Sequence, residues 1–188
     1  MADVVVFHHA LGLTDGIRTI ADRLRAGGHR VETPDLFDGA VFDELDAGGA
    51  LAESIGFAEI ADQGARTVSA GTSGDVVVIG FSLGALPAQC AAQTVPCVTA
   101  AALIHAAAPL GWFGDTWPDD VALQIHLGER DPWADEDAEA ARQLEAAGGA
   151  LYWYDTDRHL VCEPAHPDHD PAIAARILGR IDSFVTGR

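Results

Sequence analysis

The sequence predicts an α/β fold: a mainly parallel sheet with helices on both faces. Three observations carry this. Short strand-like runs alternate with segments of helical periodicity. One of those runs, Val76-Val77-Val78-Ile79, is apolar throughout, as a strand covered on both faces must be. The helical segments also stop at glycine pairs, Gly27-Gly28 and Gly148-Gly149.

Taken in chain order, residues 4–8 read as the first strand, and Ile17, Ile20 and Leu24 share one face of the helix after it. Residues 31–33 form a short second strand. Residues 34–56 are rich in Asp and Gly and read as a long surface excursion with room for one short helix. Residues 76–80 form a buried strand, followed by a helix rich in Ala and Leu over residues 83–93. Residues 101–105, 122–127 and 151–154 complete the strands. Ala138, Ala141 and Leu144 mark the helix between the last two, and Ile173, Ile177, Ile181 and Phe184 mark a closing helix.

Length and composition narrow the class. The 188 residues suit one domain, residues 1–188, and 48% apolar content suits a globular core. The formal charge is −18, and all 11 basic residues are Arg, so phosphate backbones are repelled and nucleic acid is not an expected partner. Residues 98–113 are the longest apolar region; they include His105 and Pro109 and are too short to span a bilayer, so no membrane is expected. Three cysteines, an odd count, point to reduced thiols. With no signal-peptide pattern at the start, the expected location is cytoplasmic. Nothing in the pattern fixes the oligomeric state.

In open parallel sheets, sites form where strands end. The run Gly80-Phe81-Ser82-Leu83-Gly84 lies where a buried strand turns into a helix. A turn this sharp crowds the positions two before and two after its apex, where glycines stand, and its apex side chain projects clear of the backbone. Ser82 is therefore a candidate nucleophile. A serine hydroxyl needs a base to take its proton and a carboxylate to orient that base. Asp131 in "LGERDPW" and His159 in "YDTDRHL" follow the next strands, in the order serine, acid, histidine. Glu129, Asp155 and Asp157 are rivals for the acid. The oxyanion calls for two backbone N–H donors, one at Leu83 and one in the loop around His9-Ala10. His9, His105, Trp112 and Trp133 follow strand ends and are expected in the substrate pocket, with simple packing as the alternative. His159, Cys162, His166 and His169 have the residue types of a zinc site. Pro164 and Pro167 break up that segment, and His159 is better used as a base, so no metal is expected.

With these residues assembled, the chain resembles the dienelactone hydrolase family of α/β-hydrolases nearly end to end. The carriers are "VVVFHHALGLTDGIRTIADRLRAGGHRVETPDLFDG", "GFSLGALPAQ", "GERDPW" and "DRHL". The resemblance implies a compact α/β-hydrolase fold whose opening antiparallel strands are missing. It implies nucleophile Ser82, acid Asp131, base His159 and a second oxyanion donor at Ala10, with no cofactor. Two positions depart from the family's name-giving enzymes. Ser82 stands where they use cysteine, and His9 stands where they carry an activating glutamate. The implied activity is hydrolysis of a small ester or lactone through an acyl-enzyme. Dienelactone hydrolysis through serine is one alternative. A non-catalytic small-molecule-binding protein on the same fold is another.

Overall fold

A computed structural model describes residues 1–71, 74–134 and 137–188 of the chain. Among these residues the strands are β1 (Asp3–Phe7), β2 (Arg30–Glu32), β3 (Val76–Phe81), β4 (Val98–Ile104), β5 (Ala122–Gly128) and β6 (Ala150–Tyr154). They form one sheet in the order β2-β1-β3-β4-β5-β6, and every neighbouring pair is parallel. The helices are α1 (Asp15–Ala26), α2 (Leu45–Ile55), α3 (Phe57–Gly71), α4 (Ala85–Thr94), α5 (Asp137–Ala146) and α6 (Pro171–Thr186). This is the expected α/β-hydrolase architecture.

The alternation of side chains along each strand divides the core in two. Val4, Val6, Val77 and Ile79 face α1 and α6, where Ile17, Ile20, Leu24, Ile177 and Ile181 meet them. Val5, Phe7, Val76 and Val78 face the other way, onto Ile60 and Val68 of α3, Ala88 and Ala91 of α4, and Leu144 of α5. Helix ends are fixed locally. Thr14 caps α1 by accepting from Ile17 N, and Asp170 caps α6 by accepting from Ala172 N and Ile173 N, just before Pro171. No helix among the described residues is long and apolar enough to cross a membrane.

Two segments differ from the sequence reading. The helix after β3 begins with a 3-10 turn at Ser82–Gly84 and becomes α-helical only at Ala85. The excursion at 34–56 is not merely superficial. Leu36 and Phe37 are buried. Leu36 N donates to His8 Nε2 at 2.9 Å, and the Phe37 ring meets the His8 ring edge-on. A buried imidazole thus pins the excursion to the end of β1, and α2 follows as a wall of the cleft described below.

Chain order reverses beside β1: β2 lies on one side of it and β3 on the other. The carboxyl ends of β1 and β3 therefore open side by side, and a crevice forms where connections leave in opposite directions.

Candidate active site

Ser82 follows β3 at this crevice with φ of 49°, a left-handed conformation that costs a non-glycine residue energy. Its neighbours explain how the turn is tolerated. A Cβ at Gly80 would lie 2.1 Å from Gly84 O, and one at Gly84 would lie 2.5 Å from Phe7 O. Neither position accepts a side chain, so the glycines permit the close approach that turns Ser82 outward.

From Ser82 a continuous hydrogen-bond chain runs inward. Ser82 Oγ lies 2.7 Å from His159 Nε2, and His159 Nδ1 lies 2.6 Å from Asp131 Oδ2. The other carboxylate oxygen of Asp131 accepts from Trp133 N at 3.0 Å. His159 and Asp131 are both buried. The loop carrying His159 is held in turn, because His159 N donates to Asp168 Oδ2 at 3.0 Å. Of the four carboxylates weighed for the partner of His159, the structure brings Asp131 to it. Asp155 pairs instead with Arg130 at the surface.

A cleft of about 350 Å³ opens over Ser82. Ala10 and Leu83 line it beside the serine, and Leu45 and Ala52 of α2 with Phe57, Leu86, Trp112 and Trp133 form its walls. Trp112 and Trp133 thus stand in the cleft that opens over Ser82. Trp133 also lies close to the imidazole of His159, with ring centroids 6.1 Å apart.

His9 and His105 do not line this cleft. Ala10 lines the cleft, but His9 sits on the side of the sheet that α1 covers. With His105 it lines a gap too tight for water among Ile17, Ile20, Phe81, Leu160, Cys162 and Glu163. His9 Nε2 pairs with Glu163 Oε2 at 3.0 Å, and Thr14 Oγ1 donates to the same oxygen at 2.6 Å. Burial alone would raise the Glu163 carboxyl, but the bonds from His9 and Thr14 outweigh it and hold the group below the ordinary carboxylate value. The site also requires Gly16, where a Cβ would lie 2.2 Å from the Glu163 carboxylate oxygens. His9 Nδ1 and His105 Nε2 are buried with no hydrogen-bond partner. Burial, then the nearby His159, His126 and His9, lower His105 well below the ordinary histidine value. It is a neutral ring packed 5.7 Å from that of His159.

Sequence reasoning missed Glu163 and the contribution of α2. The available signal for Glu163 was a carboxylate directly after the apolar run Leu160-Val161-Cys162, four residues beyond the histidine. Of the zinc-type residues, His159 has both ring nitrogens engaged by Ser82 and Asp131, and His169 Nδ1 bonds Val161 O. Burial, with Glu163 beside it, pushes the Cys162 thiol up to about 12. Among the described residues no group of three or more such side chains could hold a metal ion.

Comparison with known proteins places this fold. No curated protein matches the chain in sequence. A dienelactone hydrolase-like promiscuous phosphotriesterase from metagenomic libraries superposes with a TM-score of 0.77 at 22% identity, covering 100% of this chain and 86% of the other. A candidate dienelactone hydrolase from Klebsiella pneumoniae superposes at 0.75 and 18% identity, covering 100% and 88%. A pyrethroid hydrolase from Sphingobium faniae superposes at 0.62 and 14% identity, covering 98% and 97%. These likenesses establish the fold. The family model for dienelactone hydrolases matches residues 1–154, and the chain belongs to the dienelactone hydrolase family of hydrolases.

Proposed function

We propose that this protein is a serine hydrolase of small carboxylic esters or lactones. The observation that carries the reading is the unbroken chain from Asp131 through His159 to Ser82, ending at the floor of a cleft. Ser82 Oγ attacks the substrate carbonyl carbon and its proton passes to His159 Nε2. Asp131 keeps the proton on Nδ1 and stabilises the imidazolium that forms. The carbonyl oxygen, now carrying the charge, accepts from the N–H groups of Leu83 and Ala10. Collapse of the tetrahedral intermediate breaks the bond to the alkoxy oxygen, which leaves with the proton from His159. A water then attacks the acyl-enzyme, giving its proton to the same nitrogen, and the second collapse returns that proton to Ser82 as the acid departs. No cofactor enters any step of this scheme.

The strained φ at Ser82 supports the same reading, because strain persists where the surroundings hold a side chain for use. A fluorophosphonate probe and a short-chain aryl ester test it together. Wild-type protein is expected to be labelled at Ser82 and to turn the ester over. Ser82→Ala is expected to lose labelling and roughly 10³-fold or more of kcat while remaining folded. Retention of more than about a tenth of the rate in Ser82→Ala would overturn the mechanism.

A further inference from the structure

The walls of the cleft are unusual for this chain. Among the described residues, the large apolar side chains left exposed are Met1, Val41, Phe57, Trp112 and Trp133, and the last three all line the cleft. Trp112 and Trp133 are 62% and 53% exposed, so two indoles stand open to whatever enters. Among the described lining residues, Asp137 is the one carboxylate. It opens α5, and its Oδ2 accepts from Ala107 N at 3.3 Å across the cleft wall. A carboxylate in a first helical turn has a structural use there, and Asp137 lines the cleft as well. No arginine lines the cleft among those residues, and the chain contains no lysine. The whole molecule carries −18.

Each feature acts in the same direction. Indole faces attract cations through the ring quadrupole. The Asp137 carboxylate attracts them by Coulomb's law, more strongly in a partly dry cleft than in water. The net charge raises the local concentration of cations and lowers that of anions. A substrate carboxylate meets no cationic partner among the described residues and must shed water beside Asp137. Resting on the hydrolase reading above, we infer that the cleft selects by charge: it favours an ester that carries an ammonium group and turns away one that carries a carboxylate. Trp112, Trp133 and Asp137 are the selecting residues, and carboxylate-bearing lactones are poor substrates.

Three acetate esters of matched shape test this: acetylcholine, its uncharged isostere 3,3-dimethylbutyl acetate, and 4-acetoxy-2,2-dimethylbutanoate. All deliver the same acetyl group, so differences in kcat/KM report recognition of the remainder. At low ionic strength the expected order is cation, neutral, anion, with about 5- to 10-fold between steps. Asp137→Asn keeps an oxygen for Ala107 N, and it is expected to shrink the cation-to-neutral ratio about 2-fold or more. Trp112→Leu should shrink it similarly, and added salt further still. A neutral ester that equals the cation, an anion that equals the neutral ester, or a ratio unmoved by Asp137→Asn overturns the inference. Binding to Ser82→Ala separates this outcome from failure of the hydrolase reading. Choline, 3,3-dimethylbutanol and 4-hydroxy-2,2-dimethylbutanoate are titrated against indole fluorescence. Choline is expected to bind most tightly and the hydroxy acid most weakly, whether or not any ester is cleaved. Equal affinities, or the reverse order, overturn charge selection even if every ester is turned over through Ser82.

Discussion

Two histidine–carboxylate pairs lie side by side at the ends of this sheet, and they differ by one atom's surroundings. In both, a buried imidazole meets a buried carboxylate, His159 with Asp131 at 2.6 Å and His9 with Glu163 at 3.0 Å. The second nitrogen of His159 reaches Ser82 Oγ. The second nitrogen of His9 reaches no partner among the described residues and shares its tight gap with Ile17, Ile20, Phe81 and Leu160. Under the proposed mechanism, a histidine–carboxylate pair is not by itself a catalytic unit. What the outer nitrogen touches decides whether proton transfer has anywhere to go. The second pair has a different consequence. Glu163 lies on the loop that carries His159, and His9 directly precedes Ala10. The bond between them therefore ties the His159 loop to the loop expected to supply an oxyanion donor.

The largest expected effect separates the pairs outright. His159→Ala should cost roughly 10³-fold or more in kcat. Asp131→Asn should cost several hundred-fold or more while leaving the fold intact, because the amide favours the wrong imidazole tautomer. Steady-state kinetics on one aryl ester, with folding checked by circular dichroism, measures both. Equal, near-complete inactivation of folded His9→Ala and His159→Ala would erase the distinction between the pairs.

The first pair was legible in the sequence and the second was not, for physical reasons. Ser82, Asp131 and His159 each follow a strand whose apolar run is readable, and strand ends are where open α/β sheets gather their chemistry. His9 also follows a strand, so sequence alone placed it in the substrate pocket with His105. The alternation of β1, carried past Phe7, would leave His9 on the Phe7 side; the strand ends at Phe7, its alternation breaks there, and Ala10 takes the cleft side while His9 lies on the α1 side. That choice depends on the exact residue at which β1 ends, the least readable property of an element. Residues 34–56 misled for a related reason. Their Asp and Gly content signals exposure, while the contacts that bury Leu36 and Phe37 come from His8, far away in sequence. The existence of α2 was within reach, but its role as a cleft wall depends on long-range packing that no local pattern records. The charge on the molecule was fully legible. Its meaning for the site was not, until Trp112, Trp133 and Asp137 were seen to share one cleft.

Acid sharpens the comparison next, because burial holds the histidines around both pairs neutral while hydrogen bonds hold Glu163 ionised. Burial lowers His8 to about 4 and His126 to about 3, against an ordinary value of 6.5. His105, between the two pairs, is lowered too. For a group with a lowered pKa the unfolded chain binds more protons, so stability is full above the ordinary value and falls as pH drops toward the folded one. These histidines therefore cost stability from about pH 6.5 downward. Glu163, also lowered, adds its loss once pH falls through the ordinary carboxylate range. All four shifts have the same sign. The expected result is a Tm that holds near neutral pH and declines steadily below about 6.5, by on the order of several kcal/mol in total near pH 4. Thermal melts in buffers of matched ionic strength measure it. A Tm unchanged between pH 7 and 5 would mean that these imidazoles are not held neutral in the fold.

Glu163 gives the next smaller effect. Glu163→Ala strands His9 with neither ring nitrogen paired and removes the acceptor of Thr14, which should cost roughly 2–4 kcal/mol of stability. Glu163→Gln keeps one oxygen where His9 and Thr14 both bond, turns its amide nitrogen toward Ala165 N, and should cost about 1 kcal/mol. Gly16→Ala probes the same contact from the other side, since its Cβ would force the carboxylate away from His9 and Thr14. Urea unfolding of the three variants orders them. If Gly16→Ala were as stable as the wild type, the close approach to Glu163 would not be a constraint.

The smallest effect on rate belongs to His9, and a double-mutant cycle decides how to read it. His9→Ala should lower kcat about 10-fold or less, since no reacting atom depends on it. Its cost should fall mainly on stability, because Glu163 keeps its charge in a buried place and retains only Thr14 and Ala165 N as donors. Removing both partners together leaves neither an unpaired imidazole nor a carboxylate that has lost one. His9→Ala/Glu163→Ala should therefore be more stable than the sum of the single losses predicts, by about 1 kcal/mol or more. The rate should behave differently. Each single change frees the base's loop from the oxyanion loop, and breaking the same tie twice does no further harm. The double variant should thus turn over at about the rate of the slower single variant. A double variant whose kcat losses multiply would mean that His9 and Glu163 act on the reaction separately, and that the second pair is not a brace between the two loops.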